Sequence, residues 1–438
     1  MDKLDIVVSA IGHFNAWKLP DYEGIDQYKG VLFHSSNWQH DVDFKGKRIA
    51  LIGNGASGLQ VLPSIQPIAK RVDHYARNRT WVAGSISATG PVRRLEPNLF
   101  SEEQKRSFLD PDVYYNFRKA AETASFERFG GIFKGSPENR ALREQWQDLM
   151  LSRVADKPEL ASKIIPPFPP NCRRPTPGPG YLEALTKDNV DFIQTPIKKF
   201  TEHGIVTVDG VEGDVDIVIC STGANVDHAP VFSIIGDNGV DLKTAWKHDG
   251  LYGFPYSYLG LATPGFPNLL WIGGPYSSGH SGTVPNSIEN QITYVAKLIR
   301  KVSGQGIKSI APTKEATDDF VEYSDHFYPR TVWTRNDDSS PDNKNCSSWY
   351  NGARPGGRVH GLFPGSATLA NIVRRDPRWE DYEYTYLNPS GNRFAFLGNG
   401  WSERELQKSN GEVDLTPHLK RRPDDIDLRT YMEGWWDV

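Results

Sequence analysis

The sequence predicts an α/β fold of the doubly wound type that carries a helical insert. Three observations predict it. Short apolar runs of buried-strand character recur at 5–10, 48–52, 72–75, 190–193, 215–220 and 269–272. One of them, Arg48-Ile49-Ala50-Leu51-Ile52, turns through Gly53-Asn54-Gly55-Ala56-Ser57-Gly58 into an apolar-periodic helix over 59–69. Residues 99–165 are polar, poor in strand signals and helical in pattern, as at 138–153.

Each element follows from local chemistry. The run Asp5-Ile6-Val7-Val8-Ser9-Ala10 reads as a buried strand closed by Gly12, and 20–30 as a loop. The strand at 48–52, the glycine turn, the helix and the strand at 72–75 form half of a doubly wound unit. The stretch 166–179 holds seven prolines, which remove amide donors and fix φ, so it is irregular and extended. A short helix follows over 181–185, then strands at 190–193, 204–208 and 215–220. The last major strand, Leu269-Leu270-Trp271-Ile272, precedes a helix over 287–302. From about 310 onward the chain reads as irregular.

Composition narrows the function classes. The chain has 438 residues, 38% of them hydrophobic, enough for two or more cored domains. A net charge of −4 with 24% charged residues suits neither a nucleic-acid-binding protein nor a disordered one. No run of 18 apolar residues is present, so no membrane span is expected. The acidic start, Met1-Asp2-Lys3-Leu4-Asp5, lacks the pattern of a secretory leader. Cys172, Cys220 and Cys346 are few, odd in number and far apart. They imply neither a disulfide framework nor a metal site, and they favour a reducing, cytoplasmic setting. The 12 Trp, 18 Tyr and 20 Phe suit a large planar ligand or an ordinary core.

The glycine turn carries the sharpest chemistry. Between a strand and a helix, Gly53, Gly55 and Gly58 let backbone N–H groups and the helix N-terminus approach a pyrophosphate, with Asn54, Ala56 and Ser57 completing the loop. An NAD or FAD site places an acidic residue about 20 positions on. Here the next strand ends in Ala76-Arg77-Asn78-Arg79. A guanidinium at that strand end pairs with a 2′-phosphate, so NADP(H) is favoured over NAD(H), with Arg77 preferred to Arg79.

Several ordered motifs resemble those of the Baeyer–Villiger and flavin-containing monooxygenases. Tyr28-Lys29-Gly30-Val31-Leu32-Phe33-His34-Ser35-Ser36-Asn37-Trp38 resembles that family's F-x-G-x-x-x-H-x-x-x-W fingerprint, with Tyr28 for the usual Phe and Gln39 after the Trp. The glycine loop follows at the family's spacing, then Arg77-Asn78-Arg79-Thr80-Trp81. Cys172-Arg173-Arg174-Pro175 up to Asn189-Val190, and Ser221-Thr222-Gly223, also match. Gly279-His280-Ser281, Glu289-Asn290-Gln291 and Ser348-Trp349-Tyr350 resemble fungal members.

The resemblance implies a two-dinucleotide-domain, Rossmann-like flavoprotein monooxygenase fold. NADPH would reduce a bound FAD, and O2 would be inserted beside a ketone in natural-product metabolism. It implies that Arg174 is catalytic, that Arg173 lies near the cofactor phosphate, and that Gly30, His34 and Trp38 are structural or gating fingerprint positions. The type of residue suits the role, since Arg stays cationic at any working pH and stabilises developing negative charge.

The family's first glycine loop, which holds FAD, has no counterpart here, so the FAD domain is expected to be incomplete and FAD binding is left open. The strands at 5–10, 215–220 and 269–272 are expected to share one sheet, with apolar edges facing water. The expected segments are 1–43 as the FAD-domain remnant and linker, 44–98 with 172–214 as the NADP domain, 99–171 as the insert, and 215–438 as the rest of the FAD and substrate domain. Three explanations fit the missing loop: a fragment of a longer enzyme, flavin held weakly or with a partner, or a member that has lost redox chemistry. A non-redox enzyme or ligand-binding pseudoenzyme on this scaffold therefore stands as the alternative, and a flavin-free NADPH reductase as a third reading.

Overall fold

A computed structural model describes residues 3–12, 14, 16–84, 99–226, 228–334, 346–354 and 356–406. Residues 1–2 of the expected leader-free start, 85–98 of the expected NADP segment and 407–438 of the last segment lie outside the described residues. The chain divides into two units, one of residues 1–297 and 311–383, the other of 298–310 and 384–438.

The first unit is organised by parallel strands. We label β1 Val7–Ser9, β2 Val31–His34, β3 Arg48–Ile52, β4 Arg71–Tyr75, β5 Val190–Ile193, β6 Ile217–Cys220 and β7 Leu269–Trp271. A five-stranded, all-parallel sheet has the order β2-β6-β3-β4-β5. Both its faces are covered, as parallel sheets require. On one face Ala50, Ile52, Val218 and Cys220 pack with Tyr28, Tyr75, Phe200, Ile205 and Val215. Phe200 and Ile205 come from an antiparallel meander of Ile197–Phe200, Gly204–Thr207 and Glu212–Asp214. The helices α1, Ala56–Ile65, and α2, Tyr181–Leu185, are packed against each other. Leu59, Leu62 and Ile65 of α1 are buried, as are Tyr181, Leu182 and Leu185 of α2.

The strand at 217–220 corrects the sequence expectation. It does not join 5–10 and 269–272 but lies between β2 and β3, with Ile217 opposite both Val31 and Ile49. Asp216 fixes this choice. Its carboxylate accepts the Arg48 backbone N–H at 2.8 Å and the Arg48 Nη2 at 2.8 Å, pinning the start of β6 to the start of β3. β1 and β7 form a separate two-stranded parallel ladder, Val7 opposite Leu269 and Ser9 opposite Trp271. Val7 and Val8 are exposed, which corrects the expectation of a buried strand over 5–10: the two-stranded ladder leaves its apolar side chains uncovered.

Residues 99–165 are helical where described. Ser101, Asp110 and Ser136 cap the helices Glu102–Ser107, Pro111–Phe126 and Pro137–Arg153 through their side-chain oxygens. The expectation of irregular chain beyond 310 is also corrected. Lys314–Phe327 is a helix, capped by the Thr313 hydroxyl, which accepts from the Ala316 N–H. Its buried residues Thr317, Phe320, Ser324 and Phe327 recur at three- and four-residue spacing, and two of the four are polar, which hides the stripe.

The cysteine reading is corrected too. Cys172 and Cys346 are bonded to each other, their Cα atoms 5.5 Å apart, and Cys220 alone is free. A separation of 174 residues concealed the pair, and the inference from the cysteines to a reducing compartment loses its ground. No helix among the described residues is long and apolar enough to cross a membrane.

In the second unit, residues 307–310 and 384–386 belong to a two-stranded ladder, and the Lys301 ammonium lies 5.5 Å from the centre of the Tyr384 ring.

Candidate dinucleotide site and adjoining cavity

The glycine loop sits where the sheet changes direction. β3 has β4 on one side and β6 on the other, and ligands of such sheets lie beyond the carboxyl ends of the strands. The three glycines have three separate reasons. Gly53 leaves β3 with φ +104°, and a Cβ on it would stand 2.3 Å from the Ser221 carbonyl oxygen. A Cβ on Gly58 would stand 2.0 Å from the Gly53 oxygen, so helix and loop can touch only without a side chain. Gly55 is different, because a Cβ there would meet nothing within 4 Å. It caps the ten-residue helix α1 without any side-chain hydrogen bond. Gly55, Ala56 and Ser57 are exposed while Asn54 is buried. The first turn of α1 therefore offers uncapped backbone N–H groups to open space.

Basic side chains gather at the same end. The Gly53 N–H donates to the Tyr75 carbonyl at 2.9 Å, and Arg77 follows two residues later, exposed. Arg79 is committed elsewhere, its Nη1 donating to the Ile165 carbonyl at 3.0 Å. Arg173 donates from Nε to the Ser347 carbonyl at 3.0 Å and lies 5.0 Å from the Phe168 ring centre. Burial lowers the Arg173 pKa, and the Arg77 charge lowers it further, so the two guanidinium groups share one neighbourhood. No ion pair joins Arg77, Arg173 or Arg174 to a carboxylate among the described residues. Uncapped amides and cations without a carboxylate partner are groups that could hold an anion.

The fingerprint residues belong to the scaffold of this site. His34 ends β2, level with Cys220 and Ile52 on the neighbouring strands. Its Nδ1 accepts the Ser36 N–H at 3.0 Å, its ring stacks on Trp17 at 5.3 Å, and burial lowers its pKa. Trp38 packs on Phe33 and Phe44, ring centres 5.3 and 5.4 Å away. Gly30 makes room for Tyr28, since a Cβ there would stand 2.2 Å from the Tyr28 hydroxyl. That hydroxyl, absent from the Phe usual at this position, donates to the Val215 carbonyl at 3.0 Å.

Arg174 faces a cavity of about 840 Å³ whose wall also includes Trp146, His280, Trp349, Tyr350, Gly12 and Gly273. None of Gly53–Gly58, Arg77 or Arg173 lines it. The disulfide joins the residue before Arg173 to the residue before Ser347, so it ties the Arg173–Arg174 segment to the segment that carries Trp349 and Tyr350. Burial pushes the Tyr350 phenol up to about 12, with Arg174 acting against that rise. Gly12 and Gly273 follow β1 and β7, both at φ +70°, and a Cβ on either would meet nothing within 4 Å. On the side where a Cβ would stand, neither glycine is covered by a neighbouring atom. Sequence reasoning did not single out these two glycines as site residues; their shared position after paired strands is visible only once β1 and β7 are seen side by side.

The fold defines a doubly wound α/β protein with a Gly-x-Gly-x-x-Gly loop after β3 and a cavity walled in part by Arg174. A family described as flavin-binding monooxygenase-like matches residues 1–101. The FAD-binding monooxygenase tazF of Aspergillus terreus is 34% identical over 411 residues, covering 93% of this chain and 70% of that protein. A Baeyer–Villiger monooxygenase of Streptomyces coelicolor is 29% identical over 390 residues, covering 88% and 70%. The crystal structure of cyclohexanone monooxygenase from Rhodococcus sp. Phi1 bound to NADP+ superposes with a TM-score of 0.69 at 22% identity, covering 86% of this chain and 74% of that one. The chain belongs to the FAD-binding monooxygenases of Baeyer–Villiger type.

Proposed function

We propose that this chain works as an NADPH- and FAD-dependent monooxygenase that inserts oxygen next to a ketone, in natural-product metabolism. The observation that carries this reading is the placement of Arg174 on the wall of the 840 Å³ cavity, one residue from Arg173, whose guanidinium shares its surroundings with Arg77.

The residues fit NADP(H). Gly55 leaves space for a pyrophosphate over the N-terminus of α1, and Arg77, exposed and without a carboxylate partner, suits a 2′-phosphate. Arg173 supplies a second cation toward the same ligand. Gly12, Gly273 and the aromatic wall of the cavity fit a flavin ring. When bound, the two cofactors supply the hydride and the activation of O2. Arg174 then contributes a positive charge that would stabilise negative charge developing on oxygen. Trp146, Trp349 and Tyr350 exclude water and orient a planar carbonyl substrate. The expected segments 44–98 with 172–214 serve the nicotinamide cofactor in this reading, with β6 added to them.

Purified protein supplied with FAD should be yellow and should consume NADPH and O2 in the presence of a ketone. Arg174→Ala should abolish oxygenation while the melting temperature stays at the wild-type value. Full oxygenation by that variant would remove Arg174 from the mechanism.

A further inference from the structure

We propose that Gln291 is a positioning residue for the flavin: with Arg374 it fixes the backbone turn 273–277 on the wall of the cavity that Arg174 faces. The inference rests on reading Gly12 and Gly273 as the flavin's side of that cavity.

Gln291 lies on the helix Val284–Gly304, is 0% exposed, and is not itself part of the cavity wall. Both ends of its side-chain amide are spent on backbone that is. Its Oε1 accepts the Gly273 N–H at 2.9 Å, and its Nε2 donates to the Ser277 carbonyl at 2.9 Å. Gly273 and Ser277 both line the cavity, as do Ser278, Gly279 and His280 after them. These partners leave no choice of amide orientation, because a backbone N–H only donates and a backbone carbonyl only accepts. Two further donors meet at the Ser277 oxygen, the Ser287 hydroxyl at 2.6 Å and Arg374 Nη1 at 2.9 Å. The Ser287 hydroxyl in turn accepts from Gln291 Nε2 at 3.1 Å. Three donors on an oxygen with two lone pairs fix its place closely.

The turn between these anchors is not one that the chain would keep unaided. Tyr276 has φ +52° and Leu259 has φ +50°, a left-handed backbone that bulky residues rarely adopt. Arg374, 1% exposed, reaches both: its Nη2 donates to the Tyr276 and Leu259 carbonyls, each at 2.6 Å. A Cβ on Gly260 would stand 2.0 Å from the Pro275 oxygen, so the two turns touch backbone to backbone. Residues in such conformations persist where their surroundings over-determine them, and they cluster at ligand clamps. Here the over-determined stretch begins at Gly273, whose Cβ side is uncovered. What separates Gln291 from a core glutamine is where its bonds go. Both land on one stretch of cavity wall, four residues apart. Gln291 therefore sets the spacing of Gly273 and Ser277, and with it the contour against which the flavin rests.

The test is FAD affinity of the full purified chain, measured by quenching of flavin fluorescence, for wild type, Q291M and S287A. The visible spectrum of the bound flavin, NADP+ affinity and the melting temperature are read beside it. Q291M keeps the length of the side chain and loses both backbone bonds. It should weaken FAD binding about three- to tenfold, the range of one net hydrogen bond, and shift the absorption bands of the bound flavin. NADP+ affinity should stay within about twofold of wild type, a small fraction of a hydrogen bond's worth, because Gly53–Gly58 do not line this cavity. S287A takes one donor from the Ser277 oxygen and leaves Gly273 bonded, so it should shift the same bands and weaken FAD less than Q291M. Unchanged FAD affinity and spectrum in Q291M overturn the inference and leave a core residue. Should Q291M not fold, unchanged FAD affinity and spectrum in S287A overturn it equally. Equal losses of FAD and NADP+ with a lower melting temperature overturn it too, since they report general loosening. A wild-type chain that binds no FAD overturns the flavin reading of the cavity, and the inference with it.

Discussion

Gly55→Ala separates a loop shaped for its own packing from one shaped for a ligand. Gly55 has φ −74° and ψ −170°, an extended backbone that alanine adopts freely, and a Cβ there meets no heavy atom within 4 Å. The added methyl strains nothing in the protein. Its stability cost is limited to the N-cap preference for glycine over alanine, at most about 1 kcal/mol. A pyrophosphate resting on the N-terminus of α1 would meet that methyl directly. Overfilling a packed contact by one carbon costs about 1–3 kcal/mol, which is about 5- to 150-fold in Kd. Gly58→Ala makes the contrast, because its Cβ falls 2.0 Å from the Gly53 oxygen and must push the backbone itself. Calorimetric titration with NADP+ and thermal melting of both variants give the answer. Gly55→Ala should melt within about 3 °C of wild type and bind at least fivefold more weakly, whereas Gly58→Ala should lose stability and binding together. Wild-type affinity in Gly55→Ala would refute a pyrophosphate at this helix.

Arg77→Ala should weaken NADPH about 10- to 100-fold and NADH less than twofold, since a charge-assisted bond to the 2′-phosphate exists only in the former; equal losses in steady-state KM for both would count against the assignment. Alkylation of the denatured, unreduced chain should add one group, at Cys220, and three after reduction, as read by intact mass; three additions without reductant would contradict the Cys172–Cys346 bond. Reduction should lower stability by about 2–5 kcal/mol in denaturant titration. Acid should destabilise the fold before any carboxylate titrates. Burial lowers His74 to about 4, His280 to about 3 and His360 to about 3, each below its unfolded value, so the unfolded chain binds more protons as pH falls from about 6.5. His74 alone then removes about 1.4 kcal/mol per pH unit down to about pH 4. A melting temperature that stays flat from pH 7 to pH 5 would show these imidazoles to be solvated.

What could be read in the sequence was local. The run Arg48–Ile52, the glycine turn and helix 56–65 announce themselves because period, turn residue and cap lie within twenty positions. The preference for Arg77 over Arg79 is a strand-end argument; in the structure Arg77 is exposed and the Arg79 Nη1 donates to the Ile165 carbonyl. Pairings across long separations were not legible. Strand 217–220 carries an apolar run that suits any buried sheet, and its true neighbours depend on Asp216 meeting Arg48 across 168 residues. The Cys172–Cys346 bond and the His74–Tyr181 contact have the same character: ordinary residue types, with no spacing rule to join them. Helix 314–327 was missed for a different reason, because Thr317 and Ser324 interrupt the apolar stripe that would have marked it.

The charge layout at this end of the sheet suits an anionic ligand. Several arginines are neutralised locally, among them Arg48 with Asp214 and Asp216, Arg71 with Asp73 and Asp191, and Arg358 with Asp325. Arg374, wholly buried, has no carboxylate but spends its guanidinium on the carbonyls of Leu259, Tyr276 and Ser277. Arg173 and Arg77 follow neither pattern. Arg173 has one carbonyl and an aromatic face, and burial lowers its pKa, with the Arg77 charge adding to that fall. Two like charges in one neighbourhood repel, which adds nothing to the stability of the fold. A dianionic phosphate between them would attract both. Arg173→Met removes that repulsion, so it should keep or raise the melting temperature while weakening NADP+ binding in calorimetric titration; unchanged NADP+ affinity would remove Arg173 from the site.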